Sequence, residues 1–387
     1  MNKAVSTSLL ILLASISALT PFATDGYLSA LPVMAKELNT DISLVAITVS
    51  LYILGLAIGQ LIGGPFSDKY GRKPIIMIGL LLFSISSFVI PLNHSIELLW
   101  IGRFFQAIGG GIAVVSVPAI VRDNAVGKDA AKLFSLIMLI TMLAPSIAPS
   151  VGTLILTLLN WGWIFTSLGI FGVIVLFAVF FIMPENQKPS KDRYKSSYLS
   201  VFREKRALGF LISQSFAFSI LLTFLTNVPF AYIEYFHVSE AFFSGLLLLN
   251  VLSVICINRL NNYLLNKFEP HQLLKSFLFM QFIGVSLLVF NTFFFPTQLW
   301  AAVMGFVVTT ASIGGIIPNS SACFMNYFEK NAGIAAATLG ATQYVTAAAI
   351  SAIAAMLTHD SLWPMVLVML VAVIIAFSGV LYKASSR

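Results

Sequence analysis

Apolar runs of eighteen or more residues alternate with short polar breaks along nearly the whole 387-residue chain. A helix needs about 20 such residues to cross roughly 30 Å of hydrocarbon at 1.5 Å per residue. Charged and turn residues divide the chain into helical spans near 6–34, 43–63, 74–92, 96–121, 130–157, 161–183, 207–234, 240–258, 271–293, 297–322, 332–357 and 361–381. The first segment, MNKAVSTSLLILLASISAL, has the basic start and apolar core of a cleavable leader. Its apolar character runs on past Asp25 to Val33, so it is expected to stay as the first span. The pattern is that of an all-α membrane protein with twelve transmembrane helices.

Composition agrees. Hydrophobic residues make up 58% of the chain, against about 45–50% in a soluble domain. Of the 22 lysines and arginines, twenty fall in alternate connections that begin with the N-terminus, one (Lys36) falls on the opposite side, and Arg103 sits inside a span. Under the positive-inside rule this places both termini in the cytoplasm. The basic balance therefore reports topology and implies no nucleic-acid partner. Cys256 and Cys323 lack pairing or ligand spacing, and His94, His237, His271 and His359 are scattered over connections, so no metal or hydrolytic site is expected.

The longest polar stretch, PENQKPSKDRYKSSYLSVFREKRALG at 184–209, separates six spans from six. The expected organisation is an N-terminal six-helix bundle (1–183), a cytoplasmic linker (184–206) and a C-terminal six-helix bundle (207–387). Residues from Tyr198 to Lys205 suit either a short amphipathic helix on the membrane surface or a plain solvated loop. An even division suggests the parallel-repeat plan of secondary transporters, with a site near the midplane between rocking halves.

Between the second and third spans stands GGPFSDKYGRKP, residues 63–74, a dense polar knot. Gly64, Asp68, Gly71, Arg72 and Lys73 fit G-x-x-x-D-x-x-G-R-K, which resembles the signature loop of the major facilitator superfamily. Gly64 allows close helix approach, Asp68 can cap a neighbouring helix N-terminus and Gly71 permits a tight turn. Arg72 is expected to pair with Asp123, making a latch that holds the halves together in an outward-facing state; a loop that only sets topology is the plainer alternative. The corresponding stretch in the second half, NRLNNYLLNKFEPHQLL, keeps basic residues but has neither the glycines nor the aspartate.

Further segments carry the resemblance onward: TDGYLSALP in the first span, RFFQAIGGGIAVVSVPAIVRD in the fourth and APSIAPSVG in the fifth. In the last, Ala144, Ala148 and Gly152 form a small-residue face, and Pro145 and Pro149 are expected to bend the helix. Together these are similar to the twelve-helix drug:proton antiporter branch, and within it to the Bcr/CflA drug-resistance group, where the fifth-span motif is associated with exporters. The resemblance implies the major facilitator fold and a monomer in the bacterial inner membrane. It also implies a small-molecule substrate, contact with membrane lipid, and no cofactor beyond protons as coupling ion.

Asp25 is the only acidic residue deep in a span. A charged side chain at a helix centre costs about 2.5–3.5 kcal/mol on the insertion scale, so Asp25 and Arg103 call for a reason. By helical rise they lie about 13 Å and about 10 Å from the outer ends of their spans, so they are expected to share a level and meet. Ser17, Thr20, Thr24 and Tyr27 follow helical spacing beside Asp25. Burial and a neighbouring cation push a carboxyl's proton affinity in opposite directions, which suits Asp25 to proton coupling with Arg103. Some relatives carry a second acid about two turns earlier; Ser17 stands there, which implies a single coupling proton.

Tyr27, Gln106, Asn227, Gln343 and Tyr344 are candidate substrate-lining groups, though helix-to-helix hydrogen bonding explains each equally well. Glu234 is a weaker candidate for substrate entry. The expected function is proton-coupled export of small amphipathic compounds such as antibiotics. The alternatives are a dedicated exporter of a metabolite, such as a siderophore or amino-acid derivative, and a receptor that has kept the fold. With no nucleophile and base pair or cofactor motif visible, an enzyme is the weakest reading.

Overall fold

The computed structural model describes residues 7–92, 95–183, 198–329, 331–357 and 361–385. In chain order the helices are α1 (Thr7–Asp25), α2 (Leu31–Glu37), α3 (Ile42–Tyr70), α4 (Arg72–Val89), α5 (Ile96–Val114), α6 (Ser116–Asn124), α7 (Gly127–Leu158) and α8 (Trp161–Ile182). There follow α9 (Tyr198–Arg203), α10 (Lys205–Pro229), α11 (Glu240–Leu264), α12 (Pro270–Phe294), α13 (Leu299–Ala311), α14 (Ile313–Met325), α15 (Ala332–Leu357) and α16 (Trp363–Ser385). No strand occurs among the described residues.

Among the described residues, eleven helices are long and apolar enough to cross a membrane. The fifth expected span lies in α7, of which Ile147–Leu158 counts as a shorter apolar helix. The side chains of 142, 145 and 146 in α7 fall outside the described set. Three expected spans are interrupted: the first at 26–30, the fourth at Val115 and the tenth at Ser312. The seventh ends in a π-helical turn, Phe230–Tyr235. Of the linker, 184–197 lie outside the described residues, while the short helix expected near Tyr198 is α9.

The chain forms two compact units that are not contiguous in sequence. Unit 1 comprises the chain up to Ala125, Ile140–Tyr198 and Phe328–Gly340; unit 2 comprises Val126–Leu139, Leu199–Tyr327 and the chain from Ala341. The start of α15 thus packs in unit 1 and the start of α7 in unit 2, whereas the expected halves ran straight through 1–183 and 207–387. Polar contacts account for both placements. Asp68 binds the first turn of α15 within unit 1, and within unit 2 Lys128 pairs with Glu269 at 3.2 Å while Lys132 donates to Asn266 at 2.7 Å.

In unit 1, α5 packs between α3 and α4. The contact depends on glycines at helical spacing: a Cβ on Gly55 would stand 2.6 Å from the Phe104 carbonyl oxygen, and one on Gly59 would overlap that of Ile108. Small residues matter here because lipid supplies no hydrophobic drive between helices, so backbone approach and dispersion carry the association. In unit 2, Phe224, Tyr232 and Phe306 form an aromatic core with ring centroids 5.2 and 5.7 Å apart. Phe177, Phe181, Phe293 and Met304 are exposed, the arrangement expected of a surface that meets lipid.

The packing predicts a contrast between two glycines. Gly59→Ala should destabilise by about 1–3 kcal/mol through overpacking. Gly245→Ala in α11, where an added Cβ meets nothing within 4 Å, should be neutral or stabilising by up to about 1 kcal/mol. Thermal unfolding in detergent measures both; equal effects would mean that the α3–α5 approach is not tight.

Candidate functional site: the interrupted first helix and the polar knot

The first expected span breaks just after its acidic residue. The break is held by close backbone contact: a Cβ on Gly152 of α7 would overlap the carbonyl of Gly26. The fifth-span motif therefore touches the chain one residue from Asp25. Through Pro145 and Pro149 the helix α7 continues without a break, so the expected bend does not interrupt it. The Pro145 side chain is outside the described set, and the contact is made by Gly152.

Arg103, on α5, is fully buried. Its guanidinium donates to the Ala23 carbonyl at 2.9 Å and to Gln106 Oε1 at 2.6 Å. It lies over the rings of Tyr27 at 4.3 Å and Tyr52 at 4.4 Å, with Phe165 at 5.5 Å. Ala23 is in the last turn of α1, so the cation sits at the negative end of a helix dipole as well as against three aromatic faces. Gln106 in turn donates to Ser87 Oγ at 2.7 Å, and the Tyr27 hydroxyl is 2.7 Å from Thr48 Oγ1.

This arrangement differs from the expected meeting of Asp25 and Arg103. Among the described residues no ion pair joins them. The physical reason is that the helix break frees backbone carbonyls, and Arg103 takes one of these in place of a carboxylate. Asp25 itself is only half-buried. Two members of the polar stripe are spent locally: Ser17 donates to the Leu13 carbonyl at 2.9 Å, and Thr24 to those of Thr20 and Pro21 at 3.1 Å.

The candidate lining groups divide between the units. Tyr27 and Gln106 hold Arg103 in unit 1. In unit 2, Gln343 accepts from Gln214 at 2.7 Å, Gln214 accepts from Ser321 at 2.9 Å, and the Tyr344 ring meets Phe218 edge-on at 5.7 Å. Asn227 donates to Thr223 of its own helix and lies about 20 Å along α10 from Gln214 by helical rise. Glu234 is exposed in the π-turn.

The knot at 63–74 is scarcely a loop. The α3 helix carries on to Tyr70 and α4 begins at Arg72, leaving only Gly71 between them, at φ 97°. The Asp68 carboxylate accepts the amides of Gly333 and Ile334, each at 2.9 Å, in the first turn of α15. It also pairs with Arg72 at 2.6 Å, and Arg72 reaches Asp123 at 3.2 Å. A Cβ on Gly64 would stand 2.6 Å from that of Ala337, so this glycine lets α15 approach. Lys73 departs from the expected cluster: it donates to the carbonyls of Phe180 and Met183 at 2.8 and 2.9 Å, capping the C-terminal end of α8.

The family model of the Major Facilitator Superfamily matches residues 13–351. The chain belongs to that superfamily. It is a multi-pass membrane transporter similar over its whole length to a bicyclomycin resistance protein homolog of Haemophilus influenzae, at 29% identity covering 97% of this chain and 96% of that protein. The multidrug resistance protein MdtL of Shewanella oneidensis is 29% identical over 85% of this chain and 83% of its own length. The resemblance to Bcr/CflA-like multidrug transporters read from the motifs thus extends beyond them. Among solved structures, the proton:xylose symporter XylE shares the fold, with a TM-score of 0.77 over 98% of this chain and 95% of that one at 15% identity.

Tyr52 and Phe165, two walls of the Arg103 cage, were not anticipated, because aromatic residues in apolar spans read as packing. Removing the cation should leave the Ala23 carbonyl and Gln106 Oε1 without their donor, at about 1–3 kcal/mol for each buried group. Arg103→Met should therefore lower the unfolding temperature markedly. Arg103→Lys should recover only part of it, because a point ammonium cannot reproduce a stacked planar fork; full recovery would show that charge alone matters.

Proposed function

We propose that this transporter is a proton-coupled exporter of small amphipathic compounds, antibiotics among them, in the bacterial inner membrane. It works by alternating access of two six-helix bundles, twelve spans in all, with both termini in the cytoplasm. The observation that carries the reading is the site of Asp25: a half-buried carboxylate at the end of an interrupted helix, beside the Gly26–Gly152 contact and two residues from the carbonyl that holds Arg103. The names of the relatives, bicyclomycin and multidrug resistance proteins, support the export of drugs.

Asp25 is the proton site in this scheme. Arg103, held by neutral partners, supplies a fixed positive field without engaging the carboxylate, so protonation and substrate compete at Asp25 without first breaking an ion pair. One proton draws about 1.4 kcal/mol from each pH unit and about 2.3 kcal/mol from each 100 mV when net charge moves. The cluster of Gly64, Asp68, Gly71, Arg72 and Asp123 is the latch, holding the first turn of α15 in one state and releasing it in the other.

The test of coupling is proton flux in vesicles reconstituted with the native chain or Asp25→Asn, across neutral, cationic and zwitterionic drugs. Drug-triggered flux lost in the variant is the expected result; flux that survives it would remove Asp25 from the mechanism. The latch has its own readout. A hydrogen bond to a charged group is worth about 1.5–3 kcal/mol, so Asp68→Ala should raise amide hydrogen exchange at Gly333 and Ile334 by about tenfold or more.

A further inference from the structure

The α3 helix contains Pro65, which has no N–H to offer the carbonyl four residues earlier, that of Leu61. An orphaned carbonyl in an apolar setting must find another donor. Here the donor is the hydroxyl of Tyr198, 137 residues away in sequence and the first residue of α9. Tyr198 is also the last residue of unit 1, and Leu199 opens unit 2. The bond therefore lies at the start of α9, where the chain leaves unit 1, and about one turn before Gly64 of the latch.

We infer that Tyr198 is a positioning residue: by filling the carbonyl that Pro65 vacates, it clips the start of α9 to the latch-bearing end of α3 and sets the geometry in which Asp68 holds α15. Two further observations support this. Burial, and secondarily the charge of Asp68, push the Tyr198 phenol up to about 12, so it stays a donor across the physiological range and lies within the field of the latch carboxylate. The same device recurs in unit 2, where Pro318 deprives the Gly314 carbonyl of its helical partner and Asn258 of α11 donates to it at 3.1 Å.

The clip goes beyond the transport reading, resting on it only for what the latch accomplishes, and its test needs no substrate. Amide hydrogen exchange on the full chain in lipid nanodiscs would compare the native protein with Tyr198→Phe, Pro65→Ala and the double variant. Tyr198→Phe should raise exchange not only at 198–203 but also at Gly333 and Ile334, by about three- to tenfold, the range of one lost hydrogen bond. Pro65→Ala returns an N–H to position 65, so in that background Tyr198→Phe should change exchange at 333–334 by less than about twofold. A rise confined to 198–203 would overturn the positioning role, and failure of Pro65→Ala to suppress the effect would overturn the assignment of the vacated carbonyl as its cause. Asp68→Ala separates the two ideas: if it deprotects 333–334 while Tyr198→Phe does not, the latch stands and the clip falls.

Discussion

Inside a bilayer there is no water to accept an unpaired N–H or C=O, and this constraint governs where the few polar side chains of this protein are used. At several places where a helix is interrupted, ends, or loses a bond to proline, a side chain from elsewhere in the chain completes the backbone. Arg103 takes the Ala23 carbonyl at the break of the first span. Asp68 takes the first amides of α15, Lys73 the last carbonyls of α8, Asn258 the Gly314 carbonyl and Tyr198 that of Leu61. These five residues act as caps on backbone far away in sequence.

Caps of this kind differ in permanence. The Arg103 node is enclosed by aromatic faces and by Gln106, and every member lies in unit 1. Asp68, by contrast, binds a segment, Phe328–Gly340, that belongs by sequence to the far half of the chain. A cap made by a distant segment holds only while that segment stays in place, and this makes it suited to a conformational latch. In the proposed cycle the first is a fixed scaffold for Asp25 and the second the part that opens. The proton site then needs no salt bridge, because dipole, carbonyl and π faces already stabilise the cation.

Much of the fold was legible from pattern alone. Eleven of the twelve expected spans correspond to helices long and apolar enough to cross a membrane among the described residues, and the remaining one falls within α7. Several interactions of the knot were legible as well, since glycine, aspartate and arginine at these spacings have few physical uses. The pairing of Asp25 with Arg103 was a misreading of depth as contact. Two residues at one level of the membrane need not face one another, and the helix break that redirects Arg103 to a carbonyl leaves little trace in hydropathy. Lys73 was grouped with the knot by the signature pattern, yet it caps α8 instead, since one step along a helix from Arg72 turns a side chain by about 100°.

The sequence by itself determined that this chain lives in a membrane, how many apolar segments it has and which end of each is basic, because hydropathy and charge act residue by residue against the bilayer. Proline within a helix leaves a carbonyl four residues earlier without its N–H partner, as at Pro65 and Pro318. Which side chain meets each vacancy was decided only by tertiary structure. Tyr198 and Leu61 are 137 positions apart, and Asp68 and Gly333 are 265 apart; no local pattern encodes such pairs. They form because packed helices bring a donor to a carbonyl or a carboxylate to a helix start, and in a medium without water each such vacancy must find its partner in the protein.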